Sequence, residues 1–319
     1  MNDVIIRSER PGDYHSIAVV NAVTFNYSFG MGEVPLISVL RNRITFDPDL
    51  SLVAEYRGEV IGHAMFTPQS VRVKGETLQA VILAPIAVHP DFQKLGIGSM
   101  LMEEGHHRAA QRGFHFAMLI GHSSYYPRFG YRTRMFGASH IRVQVIDIPA
   151  SALPVAERRV ERGDIASLCS MWEQMHADSR LALVPGSSIT DWISYGSGVR
   201  ASAMTIDGKL SGYIRYAVNA PQKMMFLLAD GYDSAIAILN EMKTRLHPDV
   251  RELLLPLHPR ARAIRELIAL PHECESHAGD ACMIKIFSDH PAIHTYCNEV
   301  ESGALTPGSV LWPVEFEVL

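Results

Sequence analysis

The residues whose types and spacing point most directly to chemistry are Gln93-Lys94-Leu95-Gly96-Ile97-Gly98-Ser99. They follow an almost continuous apolar run, Gln79 to Val88, that reads as a buried strand, and they lead into a helix expected from about Gly98 to Arg112. A helix start leaves backbone N–H groups without intrahelical partners at the positive end of the helix dipole, which suits phosphate oxygens. Gly96 and Gly98 carry no Cβ, so a ligand can approach the main chain closely. A lone GxG is also an ordinary tight helix start, so its neighbours decide its meaning. Upstream, Pro85 has no N–H to donate to a ladder, and pairing must weaken or bulge there. An opened sheet would let an extended ligand add like a strand against Ile86, Ala87 and Val88.

The elements that must position this loop can be read on both sides of it. Val4 to Arg7 reads as a strand, and Arg10-Pro11-Gly12-Asp13 turns into a helix that ends near Phe25. Asn26 to Pro35 is a loop carrying Tyr27 and Phe29, and a second helix is expected over Leu36 to Ile44. Ser51 to Tyr56 and Val60 to Pro68 form a hairpin about Arg57-Gly58-Glu59, with Val71 to Val73 extending the sheet. On the helix after the glycines, Ile97, Leu101, Gly105 and Ala109 fall at i, i+4 spacing and make its packing face. Phe116 to Ile120 is the next strand, a short helical turn opens at Tyr126, and Ile141 to Ile148 alternates as a further strand.

Two motifs on these elements resemble those of the GNAT superfamily of N-acetyltransferases. Gln93-Lys94-Leu95-Gly96-Ile97-Gly98 is similar to the family's coenzyme A signature, Q/R-x-x-G-x-G/A after the fourth strand. Tyr126-Pro127-Arg128-Phe129-Gly130-Tyr131 looks like its Y-x-x-x-G-F/Y run after the fifth strand. The resemblance implies an α/β (α+β) fold whose mixed, mostly antiparallel sheet is flanked by helices, with the fourth and fifth strands splayed apart. It also implies acetyl-CoA as co-substrate, with the pyrophosphate on the amides of Leu95 to Ser99 and the pantetheine arm along Ile86 and Val88. Tyr126 matches the tyrosine that protonates the departing thiolate, a task a phenol can perform if held within hydrogen-bond reach. The base that takes the amine's proton has no fixed position in the family. Glu33, His122 and His89 are candidates, and Tyr27 and Phe29 are placed to line the acceptor side. The acceptor implied is a primary amine on a small molecule or peptide.

The chain of 319 residues suits two domains, and its second half repeats the opening of the first. Arg158 to Asp164 parallels Ile6 to Asp13, and Ile206 to Tyr213 parallels Tyr56 to His63 at almost the same separation. The expected division is 1–150, coenzyme-A-binding, and 155–319, a second GNAT-like domain, with Pro149 to Pro154 as linker. Met224 to Ala229, Glu252 to Leu257 and Met283 to Phe287 are its later strands, Ser234 to Leu246 and Arg260 to Leu270 its helices, and Val314, Phe316 and Val318 its closing strand. Where the glycine loop should recur, the chain reads Asp230-Gly231-Tyr232-Asp233, and two carboxylates there repel pyrophosphate. One coenzyme site is therefore expected, with the second domain available for an acceptor pocket or a homodimer contact.

Other classes fit less well. A net charge of −5 without like-charge blocks gives no footing for nucleic acid or an anionic membrane. No apolar run reaches membrane-spanning length, and the opening residues lack a signal-peptide pattern, so a cytoplasmic location is expected. The four cysteines form no CxxC pair, and the histidines form no HExxH, so no metal is expected. Gly121-His122-Ser123-Ser124-Tyr125 is similar to a hydrolase nucleophile elbow, but Tyr125 occupies the position that needs glycine. The alternative outside enzymes is a non-catalytic acyl-CoA-binding sensor or scaffold.

Overall fold

The computed structural model describes residues 3–25, 31–194, 196 and 198–309. Tyr27 and Phe29, and the closing strand expected at Val314 to Val318, lie outside the described residues. The chain forms two compact units, each assembled from separated segments. The first takes 1–71, 77–134 and 280–297, and the second takes 72–76, 135–279 and 298–319. These differ from two contiguous halves parted at Pro149 to Pro154.

The first unit is built on β1 (Val4–Ser8), α1 (Tyr14–Thr24), α2 (Val34–Arg41), β2 (Ser51–Tyr56), β3 (Glu59–Val73), β4 (Glu76–Val88), α3 (Ile97–Gln111) and β5 (Phe116–Ile120). Its sheet runs β1–β2–β3–β4–β5, with β1, β2 and β3 antiparallel and β4 and β5 parallel. The expected packing face of α3 is the buried one: Ile97, Leu101, Gly105 and Ala109 all face inward. They meet Phe66, Val81 and Leu83 from the sheet. Gly105 permits that approach, because a Cβ there would stand 2.0 Å from the Phe66 ring. Arg7 grips Asp13 through two bonds of 2.7 and 2.9 Å, which fixes the turn from β1 into α1.

A buried polar network fastens α2 to this sheet. Arg41 donates to both oxygens of Glu9 at 2.8 and 2.9 Å, Ser51 donates to the same carboxylate at 2.7 Å, and Ser51 Oγ lies 3.1 Å from His63 Nε2. Burial alone would raise the Glu9 carboxyl, but the His63 ring 3.7 Å away and the hydrogen bonds from Arg41 and Ser51 bring it down to about 2.

The far edge of β5 is covered by Cys282–Ile286, which pairs antiparallel from Cys282↔Ile120 to Ile286↔Phe116. The late strand expected in the second domain thus belongs to the sheet of the first unit. Its apolar run suited any open edge, and sequence alone could not say which.

The second unit contains β6 (Phe136–Gln144), β7 (Val155–Arg159), α4 (Ile165–His176), β8 (Leu181–Leu183), β9 (Val199–Ile206), β10 (Lys209–Ala217), β11 (Met224–Ala229), α5 (Tyr232–Lys243), β12 (Glu252–Leu255) and β13 (Glu273–His277). One antiparallel sheet runs β11–β10–β9–β7, and another places β6 between β12 and β13. Arg158 grips Asp164 through two bonds of 2.7 Å at the entry to α4. Two expected elements are corrected here. The strand expected over Ile141 to Ile148 is β6, which ends at Gln144, because the alternation loses parity at Val145-Ile146 and Ile146 is 90% exposed. The helix expected over Arg260 to Leu270 shrinks to a π-turn at Ile264–Ile268, closed by Ala269 in the left-handed region between flanking prolines 259 and 271.

Among the described residues, no helix is long and apolar enough to cross a membrane.

Candidate active site

The ladder between β4 and β5 joins Ala80–Ile82 to Phe116–Met118 and goes no further, while β4 itself runs on to Val88. The two strands part ahead of Pro85, as its missing donor led one to expect. Along the free stretch Ala87 is buried, and Ile86 and Val88 are half-buried and line the cleft between the strands. This cleft has a volume of about 680 Å³, within the range of small-ligand sites.

The glycine loop forms one end. Lys94 (φ 63°) and Gly96 (φ 86°) both occupy the left-handed region, and Gly96 caps α3. That curl turns Ser99 N and Met100 N back onto the Gly96 carbonyl at 3.0 and 3.1 Å. Among the described residues, the amides from Lys94 to Gly98 donate to no backbone carbonyl and are open to an anion, whereas Ser99 N, the last of the expected donors, is taken by Gly96. Gln93, Lys94, Gly96, Ile97, Gly98 and Ser99 line the cleft; Leu95, half exposed, does not. Gln93 Nε2 donates to the Val88 carbonyl at 3.0 Å and ties the loop to the end of β4.

Tyr126 begins a 3₁₀ turn, Tyr126–Phe129, closed by Gly130 in the left-handed region and by Lys285 Nζ donating to the Phe129 carbonyl. Its ring is buried and edge-on to Tyr125, with centroids 5.0 Å apart. Burial, and then the neighbouring Tyr125, push the Tyr126 phenol up to about 12, so at neutral pH it is a proton donor. Gly121 makes room for it: a Cβ there would stand 2.4 Å from the ring. Behind it, Tyr131 and His106 share a buried hydrogen bond of 3.0 Å.

Other expected residues divide. His122 is exposed on the cleft. His89 caps the Pro90–Phe92 turn, its Nδ1 accepting from Asp91 N at 3.4 Å, and Glu33 caps α2 with its carbonyl accepting from Ile37 N at 3.0 Å; neither lines the cleft. Tyr125 also lines it, with its hydroxyl 2.8 Å from where a Gly98 Cβ would be. Sequence reasoning missed Thr24 and Arg128. Thr24 Oγ1 reaches from α1 to the Val88 carbonyl at 3.1 Å, so two donors already hold that carbonyl. Arg128 bonds Ser99 Oγ at 3.1 Å with its guanidinium 4.0 Å over the Tyr125 ring, putting a cation beside the open amides. Its place two residues after Tyr126 was a usable signal. Among the described residues, no three His, Cys, Asp or Glu are grouped to hold a metal ion.

A strand pair opened beside a helix-capping glycine loop, with a buried tyrosine between, is the arrangement the two motifs implied. Residues 15–134 match the acetyltransferase (GNAT) domain family. Over 119 residues the chain is 33% identical to the uncharacterized N-acetyltransferase YjhQ of Escherichia coli, covering 37% of this chain and 64% of that protein. It is 37% identical over 83 residues to YhbS of the same organism, also an uncharacterized N-acetyltransferase, covering 26% and 48%. The chain thus spans less than two thirds of either relative. A GCN5-related N-acetyltransferase from Kribbella flavida superposes on 89% of this chain and 71% of its own, with TM-score 0.67 and 20% identity, a likeness of fold that reaches well beyond residues 15–134.

Proposed function

We propose that the cleft binds acetyl-CoA and that the GNAT domain transfers its acetyl group to a primary amine of a small molecule or peptide. One observation carries this reading: a single cleft presents open, cation-flanked amides at Lys94 to Gly98 and a buried neutral phenol at Tyr126. The amides and Arg128 hold the pyrophosphate, and the free edge of β4 at Ile86 receives the pantetheine arm. The amine nitrogen, having lost a proton to water or to His122, attacks the thioester carbonyl. The C–S bond then breaks, and the Tyr126 hydroxyl donates to the departing sulfur. Direct attack in a ternary complex suits the cysteines: Cys282 and Cys297 belong to the first unit, but both are buried and neither lines the cleft.

The second unit is read as a GNAT-like repeat without a coenzyme site. The order β7, α4, β9, β10, β11, α5 and the repeated Arg–Asp clasp support this. Gly231, which caps α5, is extended at φ 176°, not curled like Gly96, and Asp230 and Asp233 flank it.

A thiol-release assay with acetyl-CoA across an amine panel tests the reading, run beside Gly96→Glu. The substitution forces a side chain into the left-handed region and sets a carboxylate against the pyrophosphate. Turnover on at least one amine is expected from the wild type, with loss of coenzyme binding in the variant. Coenzyme binding with no turnover on any amine would instead support a non-catalytic acyl-CoA sensor.

A further inference from the structure

The second unit contains a cavity of about 360 Å³ whose polar groups have no counterpart in acyl transfer. Its wall is partly apolar, from Leu181, Ala261 and Leu305. His176 and Ser309 also line it, only 3% and 5% exposed, and His176 Nε2 and Ser309 Oγ have no hydrogen-bond partner among the described residues. Buried polar atoms are rarely left unpaired, because each gives up its hydration with no hydrogen bond in return. Burial pushes His176 down to about 4, so at neutral pH it offers a single N–H or lone pair and no charge.

The charges around the cavity are unequal. Lys74 is spent on Glu299, with bonds of 2.6 and 2.7 Å, and Asp178 accepts from the Arg262 amide at 3.1 Å. Arg180 and Arg260 stand exposed at the rim, and neither guanidinium makes a hydrogen bond or ion pair among the described residues. Two uncommitted planar forks suit a carboxylate or phosphate group, which each can bind through paired N–H donors. The volume is at the lower end for small-molecule sites, which limits the body carrying that group to a compact one.

We propose that this cavity is a binding site for a small organic anion, its carboxylate or phosphate held by Arg180 and Arg260 and its remaining polar atoms met by His176 and Ser309. The site is separate from the coenzyme cleft, and the two are distinguished by mutation.

The full chain is titrated with glycerol 3-phosphate and with succinate, against sodium chloride at matched ionic strength, and read by thermal shift and equilibrium binding. At least one probe is expected to raise Tm in a saturable way. Arg180→Gln with Arg260→Gln should weaken that binding about tenfold or more, as loss of charge-assisted bonds requires. These side chains are exposed and unpartnered, so the double variant should keep the wild-type Tm without ligand. Gly96→Glu should leave the response intact. A response to only the phosphate or only the dicarboxylate identifies which anion the site takes. No saturable response to either probe, as for a cavity holding only water, overturns the proposal. So does an unchanged response in the double arginine variant, or its loss in Gly96→Glu.

Discussion

Tyr126→Phe removes one hydroxyl from the cleft and changes little else, so its effect can be worked out in advance. The hydroxyl makes no hydrogen bond among the described residues, and the phenylalanine ring fills the same slot against Tyr125 and Tyr131. Folding stability should therefore stay near that of the wild type. General acid catalysis is worth about 10²- to 10⁴-fold in rate. The phenol, pushed up to about 12 by burial, is a weaker acid than a departing thiol, whose pKa is about 8.5 for a free cysteine. Complete proton transfer is thus uphill by several pKa units, and Tyr126 acts mainly by donating a hydrogen bond as charge builds on sulfur. That places the loss near the lower end, about a hundredfold in kcat or about 2.7 kcal/mol of barrier. Steady-state thiol release, paired with a direct measurement of acetyl-CoA binding, should show kcat down and Kd little changed. The tyrosine should also impose no fall in rate on the alkaline side below about pH 10. A kcat equal to wild type in Tyr126→Phe would refute the assignment, and a large loss in Tyr125→Phe alone would move it to the neighbour.

Three further outcomes follow from the same structure. Gly121→Ala puts a methyl 2.4 Å from the Tyr126 ring, so it should lower kcat about tenfold or more while coenzyme Kd moves far less, read in the same two assays. Gly105→Ala drives a methyl into Phe66 at the α3–β3 contact and should cost about 1–3 kcal/mol, seen as a lower urea midpoint with an unchanged slope. Acid should destabilise the chain in two stages. His106, pushed down to about 3 by burial and then by Lys285, favours the folded state fully above its unfolded value near 6.5, and that contribution drains away as pH falls. Glu9, brought down to about 2, adds stability that is present above about 4.5 and lost between there and 2. Urea midpoints measured from pH 7 to pH 3 should fall throughout, and Glu9→Gln should flatten the lower part of the curve alone.

The glycine loop was legible because its chemistry is local: left-handed curl, open amides and helix start all lie within Lys94 to Ser99. Tyr126 was legible for the same reason, sitting on a short turn with its own closing glycine. The packing face of α3 followed from i, i+4 spacing and needed no partner to be known. What escaped depends on contacts far apart in the chain. Thr24 reaches the Val88 carbonyl across 64 positions, and no local pattern announces that a threonine late in a helix will point at a strand end. Ile141 to Ile148 failed differently: a parity slip at Val145-Ile146 was visible, but alternation was read through it. Met283 to Phe287 reads as a strand, yet a strand's partner is chosen by whichever edge lies open.

That last strand bears on the order in which the protein can be made. Chains fold as they emerge from the ribosome, N-terminal parts first. Here the segment that matches the GNAT family is complete in sequence by residue 134, but β5 keeps a bare edge of N–H and C=O groups until Cys282–Ile286 has been synthesised. An uncovered edge beside an apolar sheet is a template for pairing with another chain. The nascent protein must therefore carry that hazard through the making of the whole intervening stretch, and an open edge is also what a prematurely terminated product would be left with. The sheet that holds the proposed acetyl-transfer site is closed only after residues 135–279 of the second unit have been made.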